Sequence, residues 1–254
     1  MAQEYILAKP EDLLNVGFGI HAEFGIGRAW WRGHARSDWP LVPSVFRSSG
    51  VANRGPRFEM NISNRFVQGA RIRRSDCPPR DDHASWLLLM QHFGLPTRML
   101  DWSESLLVAL YFAVSDDKNA DQDGIVWALH PTIFNEQHIG RRGFAHARGK
   151  LLNNLHAKAF NDEIALGSAQ AAAVDPPHGD LRMLIQKACY TIQEFRDGLE
   201  TLPGSEKWLR KIVVPHGRKD YWGRALGFMG LDQAAIFPDL QNLASHLSKL
   251  TFEA

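Results

Sequence analysis

Cysteine is scarce. Cys77 and Cys189 are the only two in 254 residues and stand far apart, which excludes a disulfide framework and a four-cysteine zinc site and points to a reducing compartment. Neither sign of charge is in excess: 29 Lys and Arg against 28 Asp and Glu leave a net charge of +1, so the chain has neither a basic nucleic-acid coat nor an acidic solvating tail. No run approaches the roughly 20 apolar residues of a membrane span, and the first residues lack the basic-then-apolar pattern of a secretory leader. These absences set the expectation of a cytoplasmic protein with no membrane contact. Missing too are a glycine-rich phosphate loop ending in Gly-Lys-Ser/Thr, a His-Glu-x-x-His helix, a Gly-x-Ser-x-Gly elbow and a dinucleotide fingerprint. The 11 histidines show no ligand spacing, so no metal is expected.

What is there is an ordinary globular composition, 44% hydrophobic and 22% charged, with enough Phe and Trp to fill a core and line a cleft. With no repeat or long linker, the expectation is one α+β domain over 1–254, a mixed sheet with flanking helices. Trp30-Trp31 before Arg32-Gly33 reads as a short strand ending in a turn. Phe58, Ile62, Phe66 and Ala70, behind Pro56, predict a helix over 56–72, and Trp86, Leu87, Leu89 and Met90 a short buried one over 84–92. Leu106, Ala109, Leu110 and Ala113 predict a central helix capped by Asp101 or Ser103. Strands are expected over 124–129, 188–192 and 211–215, and helices over 220–230 and at the C-terminal Leu240, Leu243, Leu247 and Leu250. Residues 131–180 read as an insertion or variable region between core segments 30–129 and 181–254.

Two polar clusters sit among aromatics. The first is Trp31-Arg32-Gly33-His34-Ala35-Arg36-Ser37-Asp38-Trp39. The Arg32 guanidinium, planar and permanently charged, suits a phosphate or carboxylate, or equally an internal pair with Asp38 or Asp101. The second, Gln91-His92-Phe93-Gly94-Leu95-Pro96-Thr97-Arg98 with Leu100-Asp101-Trp102-Ser103, groups an amide, an imidazole, a cation, a carboxylate and a hydroxyl around a tight turn. Such a loop lines a cleft, or it spends the same groups on capping and on an Arg98–Asp101 pair.

These two clusters, with Pro43-Ser44, Phe46-Arg47 and Val108-Ala109-Leu110-Tyr111-Phe112-Ala113, resemble the FRG domain. That family is named for an aromatic-Arg-Gly triplet, here Trp31-Arg32-Gly33, and is common in bacteria and their mobile elements. Asp123 to Leu129, Gln186 to Thr191 and Ile236 to Leu240 carry the resemblance onward, with Ala188 and Tyr190 where the family usually has glycine and phenylalanine. The order of an aromatic-Arg strand and then Ser103 before a Val-Ala-x-x-Phe-Ala helix also resembles arginine-type ADP-ribosyltransferases. That resemblance implies an ADP-ribosyltransferase-like fold, NAD as substrate and a catalytic set of Arg32, Ser103, His92, Gln186 and Glu194, with Glu200 a further candidate for the acid. It also implies an NAD-contacting surface of Trp31, Arg32, Gly33, Gln91, His92, Phe93, Arg98 and Asp101.

The first functional expectation is therefore an NAD-using transferase or glycohydrolase, a toxin or anti-phage effector acting on a macromolecular acceptor. The second is a nucleic-acid-binding or nucleic-acid-processing module using the basic runs 65–80 and 141–158. The third is a non-catalytic sensor or interaction domain binding an anion through Arg32 and His92.

Overall fold

A computed structural model describes residues 3–25, 29–47, 57–147, 149–167, 169–176 and 181–248. In chain order the elements are β1 (Gln3–Ile6), α1 (Pro10–Phe24), β2 (Trp30–His34), α2 (Phe58–Arg73), α3 (His83–His92), β3 (Met99–Ser103) and α4 (Leu106–Val114). Then come β4 (Gly124–Leu129), α5 (Pro131–Ile139), β5 (Ala145–His146), α6 (Lys150–Ala157), β6 (Ala171–Asp175), α7 (Leu181–Ile185) and β7 (Ala188–Gln193). The chain closes with β8 (Leu209–Val214), α8 (His216–Phe228), α9 (Gln233–Ile236) and α10 (Leu240–Leu247). All strands join one mixed eight-stranded sheet in the order β1-β8-β4-β2-β3-β7-β6-β5, parallel at its two edges and antiparallel between them. The protein is a single α+β domain.

Helices cover one face in two groups. Over β1, β8, β4 and β2, α1, α4 and α8 enclose Trp31, Ala109, Leu110, Val126, Ile212 and Trp222. Over β3, β7 and β6, α3 and α6 enclose Leu87, Met90, Met99, Tyr190 and Ile192. Successive strand residues point to opposite faces. Trp30, Leu100, Trp102, Trp127 and Leu209 accordingly form a third cluster on the other face, closed by Leu41, Phe134, Leu199 and Trp208.

Several expectations change here. Segment 10–24, where Gly17 and Gly19 interrupt the apolar residues, is helical, with Pro10 in its first turn and Leu13, Ile20 and Phe24 buried. Strand β2 runs through Arg32 and Gly33 instead of turning there. The buried residues of α2 are Glu59 and Ser63, one position along from the apolar stripe; Pro56 lies outside the described residues, as does Leu250. Segment 99–103 is a strand, and the cap of α4 is Ser105, whose hydroxyl accepts from the Val108 amide at 3.4 Å. Asp101 caps nothing. Residues 131–180 contribute β5 and β6 to the common sheet. There Ala171, Ala172, Ala173 and Val174 are buried in β6, and Asn135 bonds both the amide and the carbonyl of Ala173 at 2.7 and 2.9 Å.

The central seam positions everything that follows. β2 pairs β4 over five residues and β3 pairs β7 over five, but β2 meets β3 at one rung, Trp31 opposite Ser103. Beyond that rung the strands separate. Two half-sheets therefore splay apart below α3 and α4.

Candidate active site

A cavity of about 250 Å³ occupies the seam. One wall is the end of α3, with Leu88, Gln91 and His92; the opposite wall is α4, with Val108, Ala109 and Phe112. Asp101, Ser103 and Tyr190 line it from β3 and β7, and Arg182, Met183 and Gln186 close one end from α7 and the turn after it. Trp31, Arg32 and Gly33 line it from β2.

Gly33 explains its own identity. A Cβ there would stand 1.8 Å from the Ala109 carbonyl oxygen and 2.8 Å from the Ala113 nitrogen. Only glycine lets α4 lie directly on β2, and α4 in turn brings Phe112 to the cavity.

Arg32 belongs by register to the face opposite Gly33. It reaches the cavity because the strands part: its Nη1 crosses the seam to the Asp101 carbonyl oxygen at 2.5 Å, and its Nε donates to His34 Nε2 at 2.9 Å. His34 Nδ1 then donates to the Trp39 carbonyl at 3.2 Å, which fixes the tautomer. Burial and the neighbouring Arg32 push His34 well below its ordinary pKa, so it stays neutral and accepts. Among the described residues Arg32 has no ion-pair partner. Burial pulls its guanidinium down to about 10, opposed by the charge of Asp101. Asp38 pairs with Arg36 instead, at 2.6 Å. A half-buried arginine without a carboxylate partner is a ready anion site.

Ser103 is buried, and its hydroxyl is already engaged, donating to the Gln186 carbonyl at 2.6 Å and accepting from the Ser105 amide at 2.9 Å. One lone pair remains for a ligand. Gln186 is held by a 3.1 Å bond from Nε2 to the Ile236 carbonyl, which leaves its Oε1 to the cavity. Lys187, the next residue, takes φ 45°, the left-handed conformation that bulky residues avoid. The turn thus holds Gln186 at some conformational cost. Gln91 accepts from Thr97 Oγ1 at 2.7 Å, leaving its amide N–H groups to donate. Beneath, Tyr190 donates to His156 Nε2 at 2.8 Å while His156 Nδ1 donates to the Leu152 carbonyl. Burial raises the Tyr190 pKa and lowers that of His156 to about 4, so both stay neutral.

The cavity thus gathers Trp31, Arg32, Gly33, Gln91, His92, Asp101, Ser103 and Gln186 from the residues singled out in the sequence. Four others lie elsewhere. Phe93 is 62% exposed, its ring against Phe66 and His92. Arg98 is buried at the far end of β3, where its guanidinium pairs with Glu59 and Glu194. That pairing answers the charge of both carboxylates and removes Arg98 and Glu194 from the ligand-facing set. Glu200 accepts from the Leu41 amide at 3.0 Å. Sequence reasoning missed Phe112, Arg182 and Met183 as lining residues; it had Phe112 only as part of a helix motif. Within the basic run 141–158, His156 is buried and the Lys158 ammonium is spent on the Asp162 and Ile164 carbonyls.

The family model of the FRG domain matches residues 27–122. The chain contains an FRG domain. The match spans β2 to α4, and so brings Arg32, Gly33, Gln91, His92, Asp101 and Ser103 within the FRG segment, while Arg182, Gln186 and Tyr190 reach the cavity from beyond it. No curated protein and no solved structure matches the chain. Among the described residues no group of three His, Cys, Asp or Glu is placed to hold a metal ion, and no helix is long and apolar enough to cross a membrane.

Proposed function

We propose that the seam cavity of the FRG segment binds the nicotinamide mononucleotide half of NAD and cleaves its glycosidic bond, as a transferase or glycohydrolase. The supporting observation is the bond from Arg32 across the separated strands to the Asp101 backbone: among the described residues, a cation with no ion-pair partner stands next to the one carboxylate that lines the cavity. At about 250 Å³ the cavity falls just below the roughly 300–1,000 Å³ of common ligand sites, a size for one half of a dinucleotide.

In this reading Arg32 holds a pyrophosphate oxygen by charge-assisted hydrogen bonds. Gln91 and Gln186 offer complementary donors and an acceptor to the carboxamide and ribose hydroxyls. Phe112 and the Trp31 edge supply apolar walls. The glycosidic C–N bond breaks with its electron pair going to nicotinamide, which leaves neutral, and the Asp101 carboxylate stabilises the positive charge left on the ribosyl carbon. Water or an acceptor nucleophile then bonds to that carbon and gives up its proton. Directed at a cellular macromolecule, this chemistry is that of a toxin or anti-phage effector.

Incubation of the purified chain with NAD should release nicotinamide, detected by chromatography. With labelled NAD and cell extract, label should pass to a macromolecule if transfer occurs. Arg32→Ala and Asp101→Asn should each abolish release while melting cooperatively. Absence of both nicotinamide release and calorimetric binding at millimolar NAD would sink this reading.

A further inference from the structure

A second cavity, about 550 Å³, lies on the other side of β2. Among the described residues its lining is His34, Trp39, Pro40, Val42, Phe46, Arg47 and Arg196, which includes two cations, two large aromatics and no carboxylate. The Arg47 Nε donates to the Val42 carbonyl at 2.8 Å, which leaves its terminal nitrogens without a protein partner among the described residues. Arg196 has no partner there either. Trp39 is 40% exposed, its ring set edge-on to His34 with centroids 6.3 Å apart.

The walls are fixed before any ligand arrives. The turn bearing Phe46 and Arg47 is tied to Thr97 by three hydrogen bonds of 3.2 to 3.4 Å, through the Val45 amide and the Ser44 hydroxyl. On its far side the Phe46 ring meets Arg98, 5.9 Å from its centroid, whose charge is already answered by Glu59 and Glu194. The loop bearing Trp39 and the loop after β7 are joined through the Leu199 amide to the Leu41 carbonyl and the Leu41 amide to Glu200. Arg32 joins the two cavities, since it lines the first and donates to His34, which lines the second.

Unpaired guanidinium groups beside an exposed indole recognise a phosphate joined to an aromatic base. Arginine takes the phosphate oxygens in its planar fork, and the ring accepts the face of any base. We propose that this second cavity is a nucleotide subsite, with a base stacked on Trp39 and its phosphate held by Arg47 and Arg196. The ligand chemistry has two sources: the adenylate half of a dinucleotide whose other half lies in the seam, or a nucleotide of a single strand.

The test uses the full chain and three probes in calorimetry: AMP, a thymidine pentanucleotide and nicotinamide mononucleotide. Trp39→Ala and the double variant Arg47→Ala/Arg196→Ala should weaken AMP or the pentanucleotide by roughly 5- to 150-fold, the range of a lost stacked base, while Trp39→Phe retains binding. All these side chains reach solvent, so the variants should still melt cooperatively, the Arg47 change losing only its bond to the Val42 carbonyl and the Trp39 change its edge contact with His34. Nicotinamide mononucleotide should bind all variants equally. NAD tighter than either half, with that advantage lost in Trp39→Ala, assigns the adenylate; pentanucleotide binding alongside saturating NAD assigns the strand. The proposal is overturned if neither AMP nor the pentanucleotide binds the parent at millimolar concentration, or if both bind the Trp39 and arginine variants unchanged. Failure of nicotinamide mononucleotide alone, with Trp39-dependent AMP binding intact, removes the NAD reading and leaves this one standing.

Discussion

Replacing Gly33 by alanine tests the packing that builds the cavity. The added Cβ would lie 1.8 Å from the Ala109 carbonyl oxygen, where carbon and oxygen ordinarily stay roughly 3.3 Å or more apart. The obstacle is backbone, so no rotamer change relieves it; α4 must retreat by about 1.5 Å or β2 must bend. A gap of even ~0.5–1 Å forfeits a quarter to a half of each contact's attraction, and the face withdrawn carries Ala109, Leu110 and Ala113, all fully buried. The cost should reach or exceed the upper end of the ~1–3 kcal/mol typical of overpacking. For a chain of this size that is a melting temperature lower by about 6–12 °C, at roughly 2–4 °C per kcal/mol. The same shift displaces Val108, Ala109 and Phe112, so ligand binding should fall as well. Gly19→Ala is the control: that residue is exposed within α1 and a Cβ there meets nothing within 4 Å, so the change should stabilise by ~0.5–1 kcal/mol. Differential scanning calorimetry of both variants decides the matter. A Gly33→Ala protein melting within about 2 °C of the parent would refute the close approach of α4 to β2.

Further outcomes follow from other contacts. Arg98→Met leaves Glu59 buried and Glu194 half-buried without a cation, and chemical denaturation should show a loss of ~3–5 kcal/mol with binding of nicotinamide mononucleotide preserved in the folded fraction. Ser105→Ala should cost about 1 kcal/mol for the lost cap, while Asp101→Asn leaves stability unchanged in urea titrations; the reverse pattern would return Asp101 to the helix terminus. His156 is depressed to about 4 from 6.5 by burial. Between those values the unfolded chain therefore binds more protons than the folded one, and stability falls on acidification by roughly 3 kcal/mol for this residue. His34, His83, His130 and His138 shift in the same direction. Urea midpoints at pH 7.5 and 5 should differ, and His156→Gln should narrow the difference.

The sequence disclosed the helices whose apolar residues recur at their period, α3 and α4, and the continuous apolar strand β4. It concealed β3. Leu100 and Trp102 face one cluster while Met99, Asp101 and Ser103 face the other side, an alternation masked by the resemblance of Asp101 and Ser103 to capping residues. Helix α1 was hidden by Gly17 and Gly19, although Leu13, Ile20 and Phe24 keep helical spacing. The alanine strand β6 was illegible because small residues there serve a partner that approaches closely, Asn135 of α5. Most of the site residues could be named from local composition, because glycine, proline and polar groups concentrate around it. Arg98 and Glu194 could not be excluded that way. Their third member, Glu59, lies 39 residues before Arg98 and comes to it only through tertiary folding.

The single rung between β2 and β3 gives Arg32 a second task. Where the strands part, the bond from Arg32 to the Asp101 carbonyl is a clasp made by a side chain across a tear in the sheet. Binding an anion and closing the tear therefore draw on the same guanidinium. A shorter or uncharged residue at position 32 loosens the joint as it empties the cavity, and an occupant engaging both strands fastens the two halves of the molecule together.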